Sequence, residues 1–257
     1  MSVTHITSRD NANLQRIRKL AQEGHAYRKL GSIWLEGDHL MRAALQRDHP
    51  ITLALATEEA YADPAHSALL DAAPKVLVVP SVLFKTISGL ESPAQIGFEV
   101  PHDAAASLQP GFDSVVLDRL QDAGNVGTIL RSAAAFGFKQ VLAIKGTAAL
   151  WSPKVLRAGM GAHFGLRLIE GLAPEDLDRL QVPLIATSSH AEVQVHKAVL
   201  PRPCAWVMGH EGQGVQAGLM ARCGLTVGIP QPGGEESLNV GTAAAICLYE
   251  SARQALT

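Results

Sequence analysis

Short apolar runs alternate with helical stretches between residues 112 and 257, and this alternation constrains the fold more than any other feature. Strands separated by crossover helices form a mainly parallel sheet with helices on both faces. Ligands of such sheets bind at the carboxyl ends of the strands. The predicted fold class is therefore α/β. The predicted strands lie near Ser114–Leu117, Gln140–Ile144, Leu166–Ile169, Leu184–Thr187, Ala205–Met208 and Thr226–Ile229, and the predicted helices near 126–137, 153–159, 174–181, 215–221 and 238–254.

The N-terminal part of the chain predicts a second, smaller α/β domain. Residues 101–111 have no periodic apolar face and are bracketed by Pro and Gly, which is typical of a linker. We therefore expect two domains, at 1–105 and 112–257. In the first, helices are predicted near 11–23, 38–48, 64–72 and 81–88, and strands near Ser32–Glu36, Ile51–Ala56, Lys75–Val79 and Gln95–Val100.

Charge is distributed unevenly along the chain. The formal net charge of −2 gives no overall attraction to nucleic acid, but residues 1–30 carry six basic side chains against two acidic ones. A basic arm of this kind is usually a solvated face, and it binds RNA where the neighbouring domain acts on a polyanion. The six candidates for RNA binding are Arg9, Arg16, Arg18, Lys19, Arg28 and Lys29.

Several absences narrow the class of protein. The sequence has no signal-peptide core and no run of about 18 apolar residues, so we expect a cytoplasmic protein. Cys204, Cys223 and Cys247 are odd in number and lack metal-ligand spacing, so we expect reduced core thiols and no metal site. Motifs of the hydrolase, Walker and CxxC types are also missing, which disfavours those classes.

Two glycine-rich turns each follow an apolar strand and precede a helix. The first is Gly209–Gly214, and the second runs from Ile229 to Val240. Glycine lets a backbone approach a ligand closely, and the N–H groups of both turns can face one site. We therefore expect a small, partly polar ligand there. The alternative is a pair of tight turns that bind nothing.

The same region also resembles a dinucleotide-binding fingerprint. Gly212-x-Gly214 is followed by Gly218, and Glu235 lies about twenty residues further on, where the fingerprint places its ribose-binding acid. On that interpretation the chain is an NAD(P)-dependent oxidoreductase that uses the Gly212–Gly218 turn. A Rossmann acid should end a second strand, however, and Glu235 follows a Pro-Gly-Gly turn. This placement argues against the oxidoreductase hypothesis.

Five polar residues are candidates for chemistry. A helix beginning near Asn125 places Arg131 away from its apolar face, although a lone arginine is usually a solvated side chain. Glu211 either accepts hydrogen bonds from turn amides or orients a reacting group. Ser237 suits a helix N-cap, and Asn239 offers a ligand both a donor and an acceptor.

Three segments, taken in order, resemble the motifs of the SpoU (TrmH-type) RNA methyltransferases. Order, spacing and strand-loop-helix context all agree over residues 112–254. The segments are Asn125-x-Gly127-x-x-x-Arg131, Gly209-x-Glu211-x-x-Gly214, and Ile229-Pro230 followed by Ser237-Leu238-Asn239-Val240. A weaker match, through Ser8–Leu14 and the turn Glu36-Gly37, is to the family's RNA-binding domain, which is similar to a ribosomal-protein fold.

The resemblance implies transfer of a methyl group from S-adenosylmethionine to a ribose 2′-hydroxyl of rRNA or tRNA, with rRNA favoured. It also implies a C-terminal trefoil knot, against the usual rule that chains are unknotted, and a homodimer formed through the knotted domain. The implied catalytic residues are Arg131, Asn125, Glu211, Ser237 and Asn239, and the implied cofactor-binding residues are Thr187, Ser188, Gly209, Gly214, Ile229, Pro230 and Leu238.

Arginine is a poor base, so we expect Arg131 to hold an RNA phosphate while the other polar residues arrange the hydroxyl. Two positions depart from the family pattern. His210 replaces a residue that is often Asn, and Gly241-Thr242 stands where Ser-Val is frequent. A third hypothesis is a non-catalytic RNA-binding protein on the same fold, against which the intact Arg131, Glu211 and Asn239 argue.

Overall fold

The computed structural model describes residues 1–234 and 237–256, which form two compact units. The first comprises Met1–Ala105 and Trp151–Phe164, and the second comprises Ala106–Leu150 and Gly165–Thr257. Both units are built from a β-sheet with helices, which confirms the α/β class. Trp151–Phe164 belongs to the first unit although its sequence falls within the predicted 112–257 domain.

The first unit contains a mixed five-stranded sheet in the order β1-β4-β3-β5-β2. Strands β1 and β3 run parallel to β4, whereas β5 is antiparallel to both β3 and β2. The elements are β1 Ser2–His5, α1 Ala12–Gln22, α2 Ala26–Leu30, β2 Ser32–Glu36, α3 Asp38–Leu45, β3 Leu53–Thr57, α4 Glu58–Ala62, α5 Pro64–Asp71, β4 Lys75–Val79, α6 Ser81–Lys85 and β5 Ile96–Pro101.

Helix α1 shows how the sequence specifies these elements. The side chain of Asn11 accepts a hydrogen bond from the backbone N–H of Asn13 at 2.9 Å, which satisfies a donor that the helix start would leave unpaired. Leu14, Ile17 and Leu20, spaced by three, are buried. The helix is therefore fixed by a cap at its start and by one apolar stripe.

The second unit contains a six-stranded sheet in the order β11-β9-β10-β6-β7-β8, in which every ladder is parallel. This arrangement confirms the predicted parallel sheet. The elements are β6 Ser114–Leu117, α7 Ala123–Ala135, β7 Gln140–Ile144, α8 Pro153–Gly159 (which belongs to the first unit), β8 Arg167–Leu172, a 3₁₀ helix Pro174–Arg179, β9 Leu184–Thr187, β10 Ala205–Met208, α9 Ala217–Met220, β11 Leu225–Val227 and α10 Val240–Gln254.

Apolar side chains of the central strands form the core of the second unit. Val116, Leu142, Leu184 and Val207 belong to one buried cluster. The strands are short and mostly apolar, as expected for parallel strands that lie between other layers. Strands β6 and β10 are neighbours at the centre, so their carboxyl ends lie side by side.

The last helix, α10, is attached to the rest of the second unit near its C-terminal end. It packs against α7 and β10. Near its end, Trp206 Nε1 donates a buried hydrogen bond of 2.8 Å to Ser251 Oγ. Gln254 donates to the carbonyl of Ala198 and accepts from the N–H of Leu200, both at 3.0 Å. The helix is therefore tied both to the sheet and to the segment that precedes β10.

Four of the described elements were absent from the sequence expectations, namely β1, α2, α4 and a 3₁₀ helix over Ala162–Gly165, and the predicted helix 174–181 is a 3₁₀ helix over Pro174–Arg179. Cys204, Cys223 and Cys247 are free thiols, and burial raises the pKa of Cys204 and Cys247 to about 12. Among the described residues, no helix combines the length and apolar character needed to cross a lipid bilayer.

Candidate active site

The candidate site lies where β6 and β10 end. The two strands pair in parallel with Leu117 opposite Met208, so the residues that follow them emerge at the same edge of the sheet. After β6 the chain turns into α7, and after β10 it forms the loop Gly209–Gly214. The first two sequence motifs therefore meet here.

Glu211 ties the loop to the start of α7. Its Oε1 accepts hydrogen bonds from the backbone N–H of Asp122 at 3.0 Å and from Asn125 Nδ2 at 3.2 Å. Its Oε2 accepts from the backbone N–H of Gln121 at 3.2 Å. Burial acts to raise the pKa of Glu211, but hydrogen bonds from its own backbone amide and from these three donors outweigh burial and lower the pKa. The carboxylate is therefore suited to hold the loop rather than to accept a proton.

Asn125 extends this contact to the third motif. Its Oδ1 accepts a hydrogen bond of 2.8 Å from Asn239 Nδ2. Asn239 is the N-cap of α10, and its Oδ1 accepts from the backbone N–H groups of Gly241 at 2.9 Å and Thr242 at 3.2 Å. One hydrogen-bonded chain, Glu211–Asn125–Asn239, thus joins all three predicted motifs.

The glycines at the ends of the loop have a structural explanation. A Cβ on Gly209 would overlap the backbone of Gly214 and Val215. His210 and Gly214 exchange backbone hydrogen bonds of 3.0 and 2.8 Å, and Gly214 has φ +66°. Gly209 and Gly214 therefore let the loop close on itself.

Two residues to which the sequence assigned no role also stabilise the same loop. The fully buried carboxylate of Asp118 accepts from Arg119 Nε at 2.9 Å and from the backbone N–H of Gln216 at 2.7 Å. Arg119, whose φ is +61°, donates from Nη1 to Gln213 Oε1 at 3.1 Å. The Asp118-Arg119 pair directly after a predicted strand was the available signal.

Arg131 lies on α7 and its side chain is exposed. It makes no hydrogen bond or ion pair with any residue in 1–234 or 237–256. The free guanidinium is available to a ligand.

One turn earlier on α7, Thr128 approaches α10 closely, because a Cβ on Gly241 would lie 3.2 Å from Thr128 Cγ2. This contact explains why glycine occupies position 241.

Ser237 and Leu238 are both exposed and precede α10. The N-cap falls on Asn239 rather than on Ser237, since α10 begins at Val240. Glu235, the acid of the oxidoreductase hypothesis, lies outside the described residues.

A cavity of about 280 Å³ lies beside β11. Thr187 is the register partner of Val227, and the N–H of Ser188 donates to the carbonyl of Val227 at 3.1 Å, so both residues lead into the cavity. Gly209, Gly214 and Leu238 are not among the residues that line it. Those residues are Ser189, Ala191, Gln194, Gly228, Ile229, Pro230 and Gln231.

The cavity is lined by both polar and apolar side chains. Ile229 and Pro230 supply apolar surface, and Gln231 Oε1 is buried without a hydrogen-bond partner in the described part of the chain. An unpaired buried acceptor is costly unless a ligand donor reaches it. Gln231 was missed in the sequence, although it directly follows the Ile229-Pro230 motif. No group of three or more His, Cys, Asp or Glu suited to a metal ion occurs within residues 1–234 and 237–256.

The basic residues of the first unit divide into two groups. Arg16 forms an ion pair of 2.7 Å with the buried Glu99, and Arg18 donates from Nε and Nη2 to Thr86, both at 3.0 Å. Arg28 lies over the ring of Tyr27. Arg9, Lys19 and Lys29 are exposed, as is Arg28.

Comparison with known proteins extends these observations. The model of the SpoU rRNA Methylase family matches residues 114–249. The 23S rRNA (guanosine(2553)-2′-O)-methyltransferase RlmP of Bacillus subtilis is 30% identical over 224 residues, which cover 86% of this chain and 88% of that protein. An uncharacterized tRNA/rRNA methyltransferase of Synechocystis is 32% identical over 263 residues, which cover 98% of this chain and 94% of that protein. The crystal structure of an AdoMet-bound rRNA methyltransferase from Sinorhizobium meliloti has a TM-score of 0.84 at 28% identity and covers 99% of each chain.

A parallel α/β unit with three motifs joined at one edge of its sheet therefore defines the class as RNA methyltransferase. The chain belongs to the SpoU rRNA methylase family. The prediction of an S-adenosylmethionine-dependent RNA 2′-O-methyltransferase is confirmed, and the oxidoreductase and non-catalytic alternatives are set aside.

Proposed function

We propose that this chain methylates a ribose 2′-hydroxyl of large-subunit rRNA. The hydrogen-bonded chain Glu211–Asn125–Asn239, with the free Arg131 on the same helix as Asn125, is the observation that carries the proposal. The Bacillus subtilis relative is named for 23S rRNA, which favours rRNA over tRNA.

Arg131 holds the phosphate beside the target ribose. Its guanidinium is exposed and makes no intramolecular ion pair within the described ranges, so it can form charge-assisted hydrogen bonds with phosphate oxygens. A guanidinium stays protonated in proteins and is therefore a poor acceptor for the proton of the 2′-hydroxyl. The role assigned to Arg131 is thus orientation of the RNA.

Glu211, Asn125 and Asn239 fix the relative position of three segments. S-adenosylmethionine supplies an activated methyl group when bound, so the protein must chiefly align the hydroxyl with it. The three side chains lie on different elements, namely the loop after β10, helix α7 and the N-cap of α10, and hydrogen bonds join them to one another. We assign Ser237, two residues before Asn239, to the hydroxyl side of the site.

The cofactor is proposed to occupy the cavity beside β11. Ile229, Pro230 and Gln231 line it, and Thr187-Ser188 lead into it. The remaining cofactor candidates, Gly209, Gly214 and Leu238, are assigned to the side that faces the loop and the start of α10.

Residues 1–105 are proposed as the RNA-binding domain and residues 112–257 as the methyltransferase domain. Arg9, Lys19, Arg28 and Lys29 are exposed basic side chains that support an RNA face on the first unit. Arg16, Arg18 and Arg28 make contacts within their own unit, so they contribute to the RNA face mainly through charge. A cytoplasmic location remains a prediction.

The trefoil knot and the homodimer are part of the same proposal. The attachment of Gln254 to Ala198 and Leu200 supports threading of α10 past the segment before β10. Ile246 and Tyr249 are exposed apolar residues on α10, 36% and 53% accessible, and they support a helix face that a second copy covers.

Mapping of 2′-O-methyl groups in RNA from cells with and without the protein tests the substrate. We expect one or a few large-subunit rRNA positions to lose the modification when the gene is deleted. A loss confined to tRNA would contradict the rRNA assignment while leaving the reaction type intact.

A further inference from the structure

The side chain of His210 makes hydrogen bonds within its own loop, Gly209–Gly214. Its Nδ1 lies 3.0 Å from the backbone nitrogen of Gly212 and 3.3 Å from that of Gln213. Both backbone nitrogens carry hydrogens, so Nδ1 must accept and the neutral ring must carry its proton on Nε2. The imidazole therefore does here what an Asn side chain does when it accepts a hydrogen bond from the backbone two residues on.

The loop that His210 closes also carries Glu211. Gly212 and Gln213, the two donors to Nδ1, directly follow this carboxylate in sequence. On its other side, Glu211 accepts hydrogen bonds from the start of α7, including one from Asn125. The position of the Glu211 carboxylate thus depends on the imidazole within the loop and on α7 outside it.

We propose that His210 is a positioning residue for methyl transfer, active only while its ring is neutral. Protonation of Nδ1 turns an acceptor into a donor that faces two backbone donors. The loop must then open or turn the ring away, and Glu211 loses the backbone support that aligns it with Asn125. This proposal rests on the methyltransferase activity of the chain.

The described charged groups around the loop have mixed sign. Glu211 belongs to the loop itself, and Asp122 lies at the start of α7. At the end of β6, Asp118 is paired with Arg119, and Arg119 donates to Gln213 in the loop. The two amide hydrogen bonds bear directly on Nδ1.

The pH dependence of kcat tests the proposal. We would measure kcat at saturating RNA and S-adenosylmethionine at about pH 7.5 and 5.5 for the wild type and His210→Asn. A rate that depends on the neutral ring falls when the ring gains a proton. Asn keeps the acceptor and has no such proton to gain. The ratio of His210→Asn to wild-type rates should therefore rise on acidification, since other pH effects cancel in it.

A matched control is His196→Asn, an exposed histidine of the same unit, which should follow the wild-type profile. Parallel profiles for wild type and His210→Asn would overturn the proposal. A wild type without methyl transfer at pH 7.5 would instead contradict the proposed function.

The tautomer of His210 provides a second test that needs no variant. Long-range ¹H–¹⁵N correlation spectra of the wild-type protein at about pH 8 distinguish the two neutral forms of each imidazole. We expect His210 to carry its proton on Nε2, because Nδ1 accepts from two amides. A proton on Nδ1 would overturn the role proposed for His210, whether or not the variants fold.

Discussion

Asn239 Nδ2 lies 2.8 Å from Asn125 Oδ1, although the two residues are 114 positions apart in the sequence. Asn125 uses its amide nitrogen for Glu211 and its amide oxygen for Asn239. Asn239 uses its own oxygen to cap α10. Each amide thus joins two elements of the site, so the loss of one side chain should disturb elements that it does not belong to.

Asn239→Ala should lower both stability and turnover. The loss of an N-cap costs about 1 kcal/mol, and misalignment of reacting groups by about 1 Å costs up to roughly a hundredfold in rate. We expect a lower Tm together with a fall in kcat of about tenfold to a hundredfold, measured by thermal unfolding and by methyl transfer.

Asp63→Ala is the matched control, because Asp63 caps α5 in the first unit and accepts from the N–H of Ala65 at 2.9 Å. It should lower the Tm to a similar extent without the loss of kcat. Equal effects of the two variants on kcat would show that Asn239 acts through stability alone.

Glu211→Gln should impair turnover, although the side chain keeps its shape. A glutamine presents only one acceptor oxygen, so its NH₂ group must face the backbone N–H of Gln121 or Asp122, or Asn125 Nδ2. We expect kcat to fall at least tenfold, with Glu175→Gln, an exposed residue of the same unit, as an unaffected control. Full activity of Glu211→Gln would mean that the carboxylate does not hold the site.

Arg131→Lys and Arg131→Ala separate phosphate binding from proton removal. Lysine retains the charge, so at saturating RNA it should recover part of the activity that alanine loses. Arg167→Ala, at another exposed arginine, serves as the control for general loss of charge. If lysine is as inactive as alanine while RNA affinity is unchanged, the phosphate-holding role is wrong.

The end of α10 should respond to acid through Glu250. Hydrogen bonds from Arg253, opposed by burial and aided by Gln254, lower the pKa of Glu250 from 4.5 to about 2. Since the folded pKa lies below the unfolded one, this contribution to stability is present above pH 4.5 and is lost as the pH falls towards 2. The Tm difference between wild type and Glu250→Gln should shrink over that interval, and a pH-independent difference would contradict this assignment.

Tyr249→Glu should separate the proposed dimer into monomers. Tyr249 is 53% exposed on α10 and meets the ring of Phe136 edge-on. Burying a new carboxylate in an interface is costly, so light scattering should show half the wild-type mass. Val199→Glu, at a residue 90% exposed on the same unit, should leave the mass unchanged. A wild type that is already monomeric would remove the dimer proposal.

Periodicity located most of the second unit, because its strands are short, apolar and separated by helices. The strands Ser114–Leu117, Gln140–Ile144, Leu184–Thr187 and Ala205–Met208 lie where they were expected. Strand β1 was missed since Ser2–His5 is exposed along its whole length and shows no alternation, so only its pairing with β4 defines it.

The residues of the site were predictable from the sequence, but the contacts between them were not. The motifs identified Asn125, Glu211 and Asn239, yet nothing in their spacing shows that one amide bridges the other two residues. Long-range pairing also determines which basic residues of 1–30 are available to RNA. Arg16, for example, pairs with the buried Glu99, a residue 83 positions away. Long-range contacts of this kind depend on the packed structure, which a pattern along the chain does not encode.

The chemical identity of the methylated product distinguishes ribose methylation from base methylation. Purified protein, labelled S-adenosylmethionine and large-subunit rRNA would be incubated, and the digested nucleosides separated by mass spectrometry. We expect label on the ribose of a 2′-O-methylnucleoside with the wild type and at least a tenfold loss with Arg131→Ala. Label on a base, or undiminished ribose methylation by Arg131→Ala, would contradict the proposed reaction and the role of Arg131.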